Sequence, residues 1–253
     1  MKQLRESSIE ELNDYCEQIR QKIIQTVSKN GGHLSSNVGA VELIVAMHYV
    51  FDVKNDPFIF DVSHQAYTHK LLTDRWERFE TLRELNGISG YTRPDESDCD
   101  YFVAGHSSTS ISLAVGAAKA IALKGEQYKR VPVALIGDGS LSAGMVYEAL
   151  NELGDRRYPV VIILNDNAYG MIKWKQTGMG FETFGLDLGN PDFVKYAESY
   201  GATGHRPTSV EEFEKTLDAC VNGKGVHLID LAVDYSLNHS ILNDLLANKQ
   251  CLI

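Results

Sequence analysis

The sequence predicts an α/β protein built on an open, doubly wound and mainly parallel sheet with helices on both faces. Two continuous β-branched runs, at 131–139 and 158–167, are typical of strands that are buried on both sides. The stretch between them, 140–155, has a helical pattern of the length that a crossover between parallel strands needs. Because ligands bind such sheets at the carboxyl ends of the strands, the functional residues should follow the strands directly.

Local patterns predict the N-terminal elements. A first amphipathic helix begins at a capping box formed by Ser8 and Glu11 and ends at the Asn-Gly-Gly of 30–32. The apolar stripe of this helix comprises Ile9, Leu12, Cys16, Ile19, Ile23 and Val27. The run 38–51 is apolar nearly all round and predicts a buried helix, and the short run 57–62 predicts a strand.

The C-terminal third predicts two helices and a strand. Asn190 and Pro191 are expected to cap a helix over 192–201. Ser209 with Glu212 forms a second capping box, which starts the next helix. The run VHLIDLAVDY (226–235) predicts a last buried strand.

Composition narrows the class of protein. The 253 residues carry 24 Lys and Arg against 34 Asp and Glu, a net charge of −10, which argues against binding nucleic acid or an anionic membrane. Neither an apolar leader at the start nor an apolar run of about 18 residues is present, so we expect a cytoplasmic protein. No repeat or linker composition marks a boundary, so we expect a single domain over 1–253.

The cysteines also favour a reducing compartment. Cys16, Cys99, Cys220 and Cys251 lie far apart in the sequence and form no C-x-x-C pair. This spacing argues against a zinc site, a redox motif or a disulfide framework.

A candidate metal site follows two of the predicted strands. Gly137-Asp138-Gly139-Ser140 would let backbone N–H groups approach an anion, but a carboxylate there repels phosphate unless a cation such as Mg²⁺ bridges them. The next strand ends in Asn165-Asp166-Asn167, and Asn167 could supply a second oxygen ligand. A capped turn would explain the first motif alone. Because the second polar strand end lies one crossover away, a metal–diphosphate site is favoured.

Further candidates lie beside glycine or serine at element ends. Gly105-His106-Ser107 joins a predicted strand over 101–105 to a long helix, and an ordinary helix cap would explain it equally well. His33 follows two glycines and His64 follows the run 57–62, where imidazoles could transfer protons. The remaining histidines are predicted to be structural or exposed: His48, His69, His205, His227 and His239.

From about residue 15 to 167 these motifs resemble the N-terminal, diphosphate-binding domain of the 1-deoxy-D-xylulose-5-phosphate synthase family of thiamine-diphosphate enzymes. The matching stretches include GGHLSSNVGAVELIVAMHYVFD, FDVSHQAYTHKLLTDR, AGHSSTSISLAVGAAKA and GDGSLSAGMVYEALNELGD. The resemblance implies thiamine diphosphate and Mg²⁺ as cofactors. It implies that Asp138, Asn167 and the carbonyl of Tyr169 ligate Mg²⁺, while Gly139 and Ser140 face the diphosphate.

The same resemblance implies that His64, Gly105, His106 and Ser107 contact the cofactor, and that His33 lies on the substrate side. The implied reaction is pyruvate decarboxylation followed by carboligation to glyceraldehyde 3-phosphate, in isoprenoid precursor synthesis. The implied assembly is a homodimer.

From about residue 164 to 245 the chain instead resembles the C-terminal domain of acetolactate synthase. We therefore expect a chimera of two homologous domains, with a junction near 164–168 and without either parent's pyrimidine-binding domain. That domain carries the glutamate that activates the cofactor, so the isolated chain is expected to lack turnover unless a partner chain supplies it. The alternatives are an engineered scaffold without catalysis and an acetolactate-synthase-like activity with a partner. A nucleotide-binding domain is disfavoured because no G-x-G-x-x-G motif follows a strand.

Overall fold

The computed structural model describes residues 4–166, 176, 179–182, 184 and 190–233. Two compact units divide the chain, and their described residues run from 4 to 105 in the first unit and from 106 to 233 in the second. The single diphosphate-binding domain expected over 1–253, with its junction near 164–168, stays a prediction.

The first unit is mainly helical. Its elements are a 3-10 helix Leu4–Glu6, α1 (Ile9–Asn30), α2 (Leu34–Val38), α3 (Val41–Val50), β1 (Phe58–Phe60), α4 (Tyr67–Leu72) and a 3-10 helix Phe79–Thr81. The predicted capping box starts α1: the Glu11 amide donates to Ser8 Oγ at 3.3 Å, and the Ser8 amide donates to Glu11 Oε2 at 2.7 Å. Gly31 ends the helix with a positive φ of 73°.

Helix α1 packs one face into the core of the first unit. Four members of the predicted stripe are buried there: Cys16, Ile19, Ile23 and Val27. Ile9 does not join them, because it lies in the first turn and is 55% exposed. The single helix expected over 38–51 is also interrupted: α2 ends at Val38, and a tight turn in which the Ala40 amide donates to Asn37 O precedes α3.

The second unit contains a parallel sheet. Its elements are α5 (Ser110–Leu123), β2 (Val133–Gly137), α6 (Asp138–Leu141), α7 (Gly144–Arg156), β3 (Val160–Asp166), α8 (Phe193–Ser199), β4 (Thr203–His205), α9 (Val210–Asn222) and β5 (Val226–Ala232). Within this unit the strands lie in the order β2-β3-β5-β4, and each neighbouring pair is parallel. The predicted α/β fold class is confirmed, and the crossover helix expected over 140–155 is present as α6 and α7.

Burial changes along the central strands. In β3 the residues from Val160 to Leu164 are fully buried, whereas Asn165 and Asp166 at the carboxyl end are half-buried. In β2 only Gly137, the last residue, is half-buried. The polar ends of the two strands therefore reach the surface at the same edge of the sheet.

The strand predicted over 101–105 is absent. This segment has no regular secondary structure, and side-chain hydroxyls rather than a neighbouring strand bond two of its carbonyls: Ser63 Oγ donates to Ala104 O, and Thr92 Oγ1 donates to Phe102 O. With these two carbonyls bonded to side chains from elsewhere in the unit, the segment forms no ladder of backbone hydrogen bonds.

The predicted caps in the C-terminal part are partly wrong. Asp192, not Asn190, caps α8, with its carboxylate accepting from the Lys195 amide. Ser209 does cap α9, but the Glu212 carboxylate accepts from the amide and hydroxyl of Thr208 instead of closing the box on Ser209.

The sequence predicts neither a membrane-spanning segment nor a disulfide framework. None of the helices in the described ranges is both long and apolar enough to cross a membrane. Cys16, Cys99 and Cys220 are free, buried thiols, and Cys251 lies outside the described residues.

Candidate functional site

The parallel register of β2 and β3 brings two polar strand ends together. Gly137 at the end of β2 lies opposite Asn165 near the end of β3. Asp138 follows Gly137 directly and is the first residue of α6. This arrangement matches the expectation that the two motifs leave neighbouring strands. Asn167 and Tyr169, predicted as the second and third metal ligands, lie outside the described residues.

The glycines at this edge leave open space. A Cβ placed on Gly137 or Gly139 would meet no atom within 4 Å. Gly139 is exposed, and Ser140 is half-buried beside it in α6. A cation that is bridged to a diphosphate needs a carboxylate ligand beside backbone that the diphosphate can approach closely. Asp138 and the two open glycines meet both needs, so these residues fit a divalent cation with a diphosphate.

A cavity of about 150 Å³ adjoins this edge within the second unit. Asp138 and Gly139 line one part of it, and Tyr147, Phe193 and Tyr196 line another. The ring of Tyr196 lies edge-on to that of Tyr147, with centroids 6.0 Å apart. Burial, followed by the neighbouring Tyr200 and Tyr147, raises the pKa of Tyr196, so its hydroxyl stays protonated at neutral pH.

Sequence reasoning missed this aromatic wall. Tyr147 belongs to α7, whereas Phe193 and Tyr196 belong to α8, almost fifty residues further along the chain. Each of these residues looks like an ordinary helix-face aromatic, and only packing brings them together. A second polar contact was missed for the same reason: Asn190 Nδ2 donates to Asp166 Oδ1 at 2.7 Å, which ties the segment before α8 to the end of β3.

The Gly105-His106-Ser107 segment is exposed at all three residues. Gly105 is the last residue of the first unit, and a Cβ placed on it would meet nothing within 4 Å. Ser108 follows with a positive φ of 68°, and α5 begins at Ser110. The segment is therefore an open turn before a long helix, as the sequence predicts, although it does not follow a strand.

His33 and His64 lie together in the first unit. Their ring centroids are 5.4 Å apart with the planes at 71°, and Tyr91 lies 5.9 Å from His33. The Nδ1 atom of each ring is buried without a hydrogen-bond partner among the described residues. Two histidines separated by 31 positions in the sequence thus present unpaired nitrogens in one place.

Burial governs the protonation of both rings. It lowers the pKa of His33, and the charge of Arg83 adds to the effect. It also lowers the pKa of His64, where His33 acts in the same direction and Asp61 opposes it. Both imidazoles are therefore neutral at pH 7, so each can donate a proton from one nitrogen and accept at the other.

Asn37 holds the backbone around these histidines. Its Nδ2 donates to the carbonyls of His33, at 2.6 Å, and His64, at 2.7 Å, while its Oδ1 accepts from the amide of Tyr67. The side chain is fully buried. Sequence reasoning did not single out Asn37, because an asparagine after two serines gives no sign of the distant backbone that it joins.

The chain reaches His64 through a strained turn. Val62 and Ser63 have φ values of 59° and 63°, in the left-handed region that a β-branched residue such as Val62 rarely adopts. Ser63 Oγ stabilises the turn by accepting from the Thr92 amide while it donates to Ala104 O. Backbone strain of this kind is concentrated at functional sites.

His48 and His69 are structural, as the sequence predicts. His48 Nε2 lies 3.0 Å from His69 Nδ1, and His69 Nε2 lies 2.9 Å from Asp100 Oδ1. Arg75 and Lys70 complete this buried polar cluster on the far side of Asp100. His239 lies outside the described residues.

Relatives of this chain support one family. A sequence model of the family described as 1-deoxy-D-xylulose-5-phosphate synthase matches residues 1–179. The protein of that name from a Nitratiruptor species is 76% identical over 166 residues, which cover 66% of this chain and 27% of that protein. The one from Campylobacter fetus subsp. fetus is 72% identical over 170 residues, covering 67% and 28%. The chain thus spans little more than a quarter of these relatives.

Solved structures show the same fold at low sequence identity. Transketolase from Campylobacter jejuni subsp. jejuni matches with a TM-score of 0.72 and 20% identity, over 90% of this chain and 38% of that protein. Transketolase from Leishmania mexicana matches with a TM-score of 0.72 and 17% identity, over 90% and 37%. The fold is transketolase-like, and because the sequence model covers residues 1–179, the chain belongs to the 1-deoxy-D-xylulose-5-phosphate synthase family.

Proposed function

We propose that this chain is the thiamine-diphosphate- and Mg²⁺-binding part of a carboligase that decarboxylates pyruvate and joins the product to glyceraldehyde 3-phosphate. The observation that carries the proposal is the register of Gly137 with Asn165, which brings the carboxyl ends of β2 and β3 together. In the sequence, Asp138 directly follows Gly137, and Asn167 comes two residues after Asn165. Membership of the 1-deoxy-D-xylulose-5-phosphate synthase family supplies the reaction class.

The second unit supplies the diphosphate-binding residues in this proposal. Asp138, Asn167 and the Tyr169 carbonyl hold Mg²⁺, which prefers oxygen ligands and keeps phosphate oxygens in its coordination shell. Gly139 and Ser140 let the diphosphate approach the backbone of α6. His106 and Ser107 bind the cofactor through the open turn before α5.

The first unit supplies the proton-handling residues. His33 and His64 are neutral, and their Nδ1 atoms have no partner in the described structure, so each can take or give a proton at that atom. His64 and Gly105 are assigned to the cofactor and His33 to the substrate. Asn37 keeps both backbones in place and is a positioning residue. When bound, thiamine diphosphate supplies the electron-accepting ring on which decarboxylation depends.

Calorimetric titration of thiamine diphosphate tests the binding half of this proposal. We expect saturable heat with Mg²⁺ and its loss with EDTA or in Asp138→Asn. Asp155→Asn is the matched control, because Asp155 is an exposed carboxylate in α7 of the same unit. The absence of heat at millimolar cofactor with Mg²⁺, or unchanged binding by Asp138→Asn, contradicts the proposal.

Turnover is proposed to need residues beyond this chain, because the chain spans only 27–28% of its relatives and the cofactor-activating glutamate belongs to a pyrimidine-binding domain. The test adds the remaining part of the Campylobacter fetus relative to this chain, with pyruvate and glyceraldehyde 3-phosphate. Product formed only in the mixture supports the proposal, and product formed by the chain alone contradicts it. If the chain binds the cofactor but gives no product either alone or in the mixture, the alternative of a non-catalytic scaffold is supported.

We also propose that the C-terminal part of the chain has a different origin from the rest. We propose a junction to an acetolactate-synthase-like segment near 164–168 on the sequence resemblance alone. The family match itself runs to residue 179, and the two relatives described above cover 66–67% of the chain. Acetolactate formed from pyruvate in the same mixture would favour an acetolactate-synthase-like activity over carboligation to glyceraldehyde 3-phosphate.

The chain is also proposed to form a homodimer. Sedimentation at high protein concentration tests this proposal, and a strictly monomeric chain would contradict it.

A further inference from the structure

Three donor side chains meet at one edge of the second unit. His205 ends β4, Cys220 lies in the last turns of α9, and His227 lies in β5. One ligand atom from each residue lies within 4.8 Å of the other two. Cys220 and His227 are buried, and His205 is half-buried. These residues stand outside every motif used for the proposed function.

The distances suit a tetrahedral metal ion. His205 Nε2 lies 3.1 Å from His227 Nδ1, and Cys220 Sγ lies 3.9 Å from His205 Nε2. Zinc bonds of about 2.0–2.1 Å to nitrogen and about 2.3 Å to sulfur at tetrahedral angles place such atoms about 3.3 Å and about 3.5 Å apart. These two observed distances differ from the ideal values by a few tenths of an ångström, and the third, between the Cys220 and His227 ligand atoms, is within 4.8 Å.

A hydrogen bond alone satisfies this arrangement poorly. His205 Nε2 faces both His227 Nδ1 and Cys220 Sγ, and one proton on that nitrogen can serve only one of them. A cation accepts a lone pair from all three atoms at once.

The local charge also permits a cation. Burial lowers the pKa of His205 and of His227, so each ring is neutral at pH 7 and keeps one nitrogen lone pair that can bind a cation. The fully buried histidine pair His48 and His69 contrasts with it, because Arg75 and Lys70 contribute positive charge to that cluster. The backbone at Gly223 also packs closely against the His227 ring, since a Cβ on Gly223 would lie 2.7 Å from His227 Nε2.

We propose that His205, Cys220 and His227 form a binding site for a borderline-soft divalent metal ion, with Zn²⁺ as the best-fitting ion. The ion replaces the thiol proton of Cys220, which passes to solvent, and forms one bond to sulfur and one to each imidazole. Water takes the fourth position on the half-exposed His205 side. Because the three ligands belong to β4, α9 and β5, the ion stabilises the C-terminal part of the second unit.

Cobalt titration of the full chain tests the site directly. The protein is prepared without a polyhistidine tag, stripped with a chelator and titrated with Co²⁺ under reducing, anaerobic conditions. We expect one equivalent to give the intense visible bands of tetrahedral Co²⁺ and a thiolate-to-cobalt charge-transfer band, both abolished by Zn²⁺. Zinc should also raise the melting temperature. A weak octahedral spectrum, or no saturable binding, overturns the proposal without any variant.

Variants assign the ligands. Cys220→Ser should abolish the charge-transfer band. His205→Gln should weaken Zn²⁺ binding by more than about tenfold, because losing even a residue that only bonds a metal ligand lowers metal affinity by at least about that factor. Cys99→Ser is the matched control, since Cys99 is another buried free thiol, and Cys251→Ser excludes the remaining C-terminal thiol. The band should persist in both controls. A band that survives Cys220→Ser, or disappears in a control, overturns the assignment.

Discussion

Arg75 and Asp100 are joined by two parallel hydrogen bonds in the interior of the first unit. Nη1 donates to Oδ2 at 2.7 Å and Nη2 donates to Oδ1 at 2.8 Å, with the two side chains 2% and 0% exposed. The same carboxylate accepts from the amide of Arg93 and contacts His69 Nε2. These partners hold the pKa of Asp100 far below its usual range, although burial alone would raise it.

Asp100→Asn should destabilise the protein strongly. The substitution removes the carboxylate that bonds both Arg75 nitrogens and leaves, within the described part of the chain, only Glu96 Oε2, 3.6 Å from Nη1, as counter-charge. Breaking a buried pair costs about 3–5 kcal/mol of unfolding free energy, and Glu96 places the expected loss towards the lower end of that range. Chemical denaturation measures the loss. Asp95→Asn is the control, because the Arg93–Asp95 pair is exposed and such pairs contribute little to stability. Equal losses for the two variants would contradict the role assigned to Asp100.

His48 should make the protein less stable as the pH falls below about 6.5. Burial first, and then the charges of His69 and Arg75, set its pKa in the folded protein well below that of the unfolded chain. Between the two values the unfolded chain binds a proton that the folded protein does not, so unfolding free energy falls with decreasing pH, by up to about 1.4 kcal/mol per unit for one group.

Denaturation curves between pH 7.5 and 5 test this expectation. His48→Gln should flatten the pH dependence, because glutamine does not titrate in this range. Phe58→Leu is the control: its ring lies 5.1 Å from that of His48, so it disturbs the same packing without removing a titrating group. An unaltered slope in His48→Gln would assign the acid sensitivity to other residues.

Gly154→Ala should be destabilising by about 1–3 kcal/mol, the usual cost of overpacking. A Cβ at this position of α7 would lie 1.9 Å from the carbonyl oxygen of Tyr200, a backbone atom that cannot rotate away. Gly144→Ala, at the start of the same helix, meets nothing within 4 Å and should be neutral or slightly stabilising. Thermal melts of the two variants test this expectation. Similar melting temperatures would contradict the close contact between Gly154 in α7 and the Tyr200 carbonyl that follows α8.

Gly139→Ala should weaken cofactor binding without weakening the fold. Its Cβ meets no protein atom, so only a ligand that approaches the backbone of α6 would encounter it. We expect at least about a tenfold loss of thiamine diphosphate affinity, or about 1.4 kcal/mol. The control is Gly116→Ala, an equally open glycine in the exposed part of α5. Undiminished binding by Gly139→Ala would argue against diphosphate at this edge.

Much of the fold could be predicted because its signals are local. The β-branched runs that became β2 and β3, the Ser8 cap and the Gly31 stop each depend on a few neighbouring residues. The strand expected over 101–105 failed where distant hydroxyls, from Ser63 and Thr92, took the carbonyls. The cap expected at Asn190 failed because that side chain bonds to Asp166, in β3.

The candidate site divides in the same way. By itself, the sequence determined the position of Asp138 after a strand, the open glycines around it and the glycine-flanked His33, since composition and spacing record these features directly. Only the tertiary structure decided that Asn37 joins His33 to His64, and that Cys220 lies beside His205 and His227 despite the absence of any C-x-x-C motif. Such contacts depend on which side chains packing brings together across 15 to 31 positions of chain, and no local pattern encodes that choice.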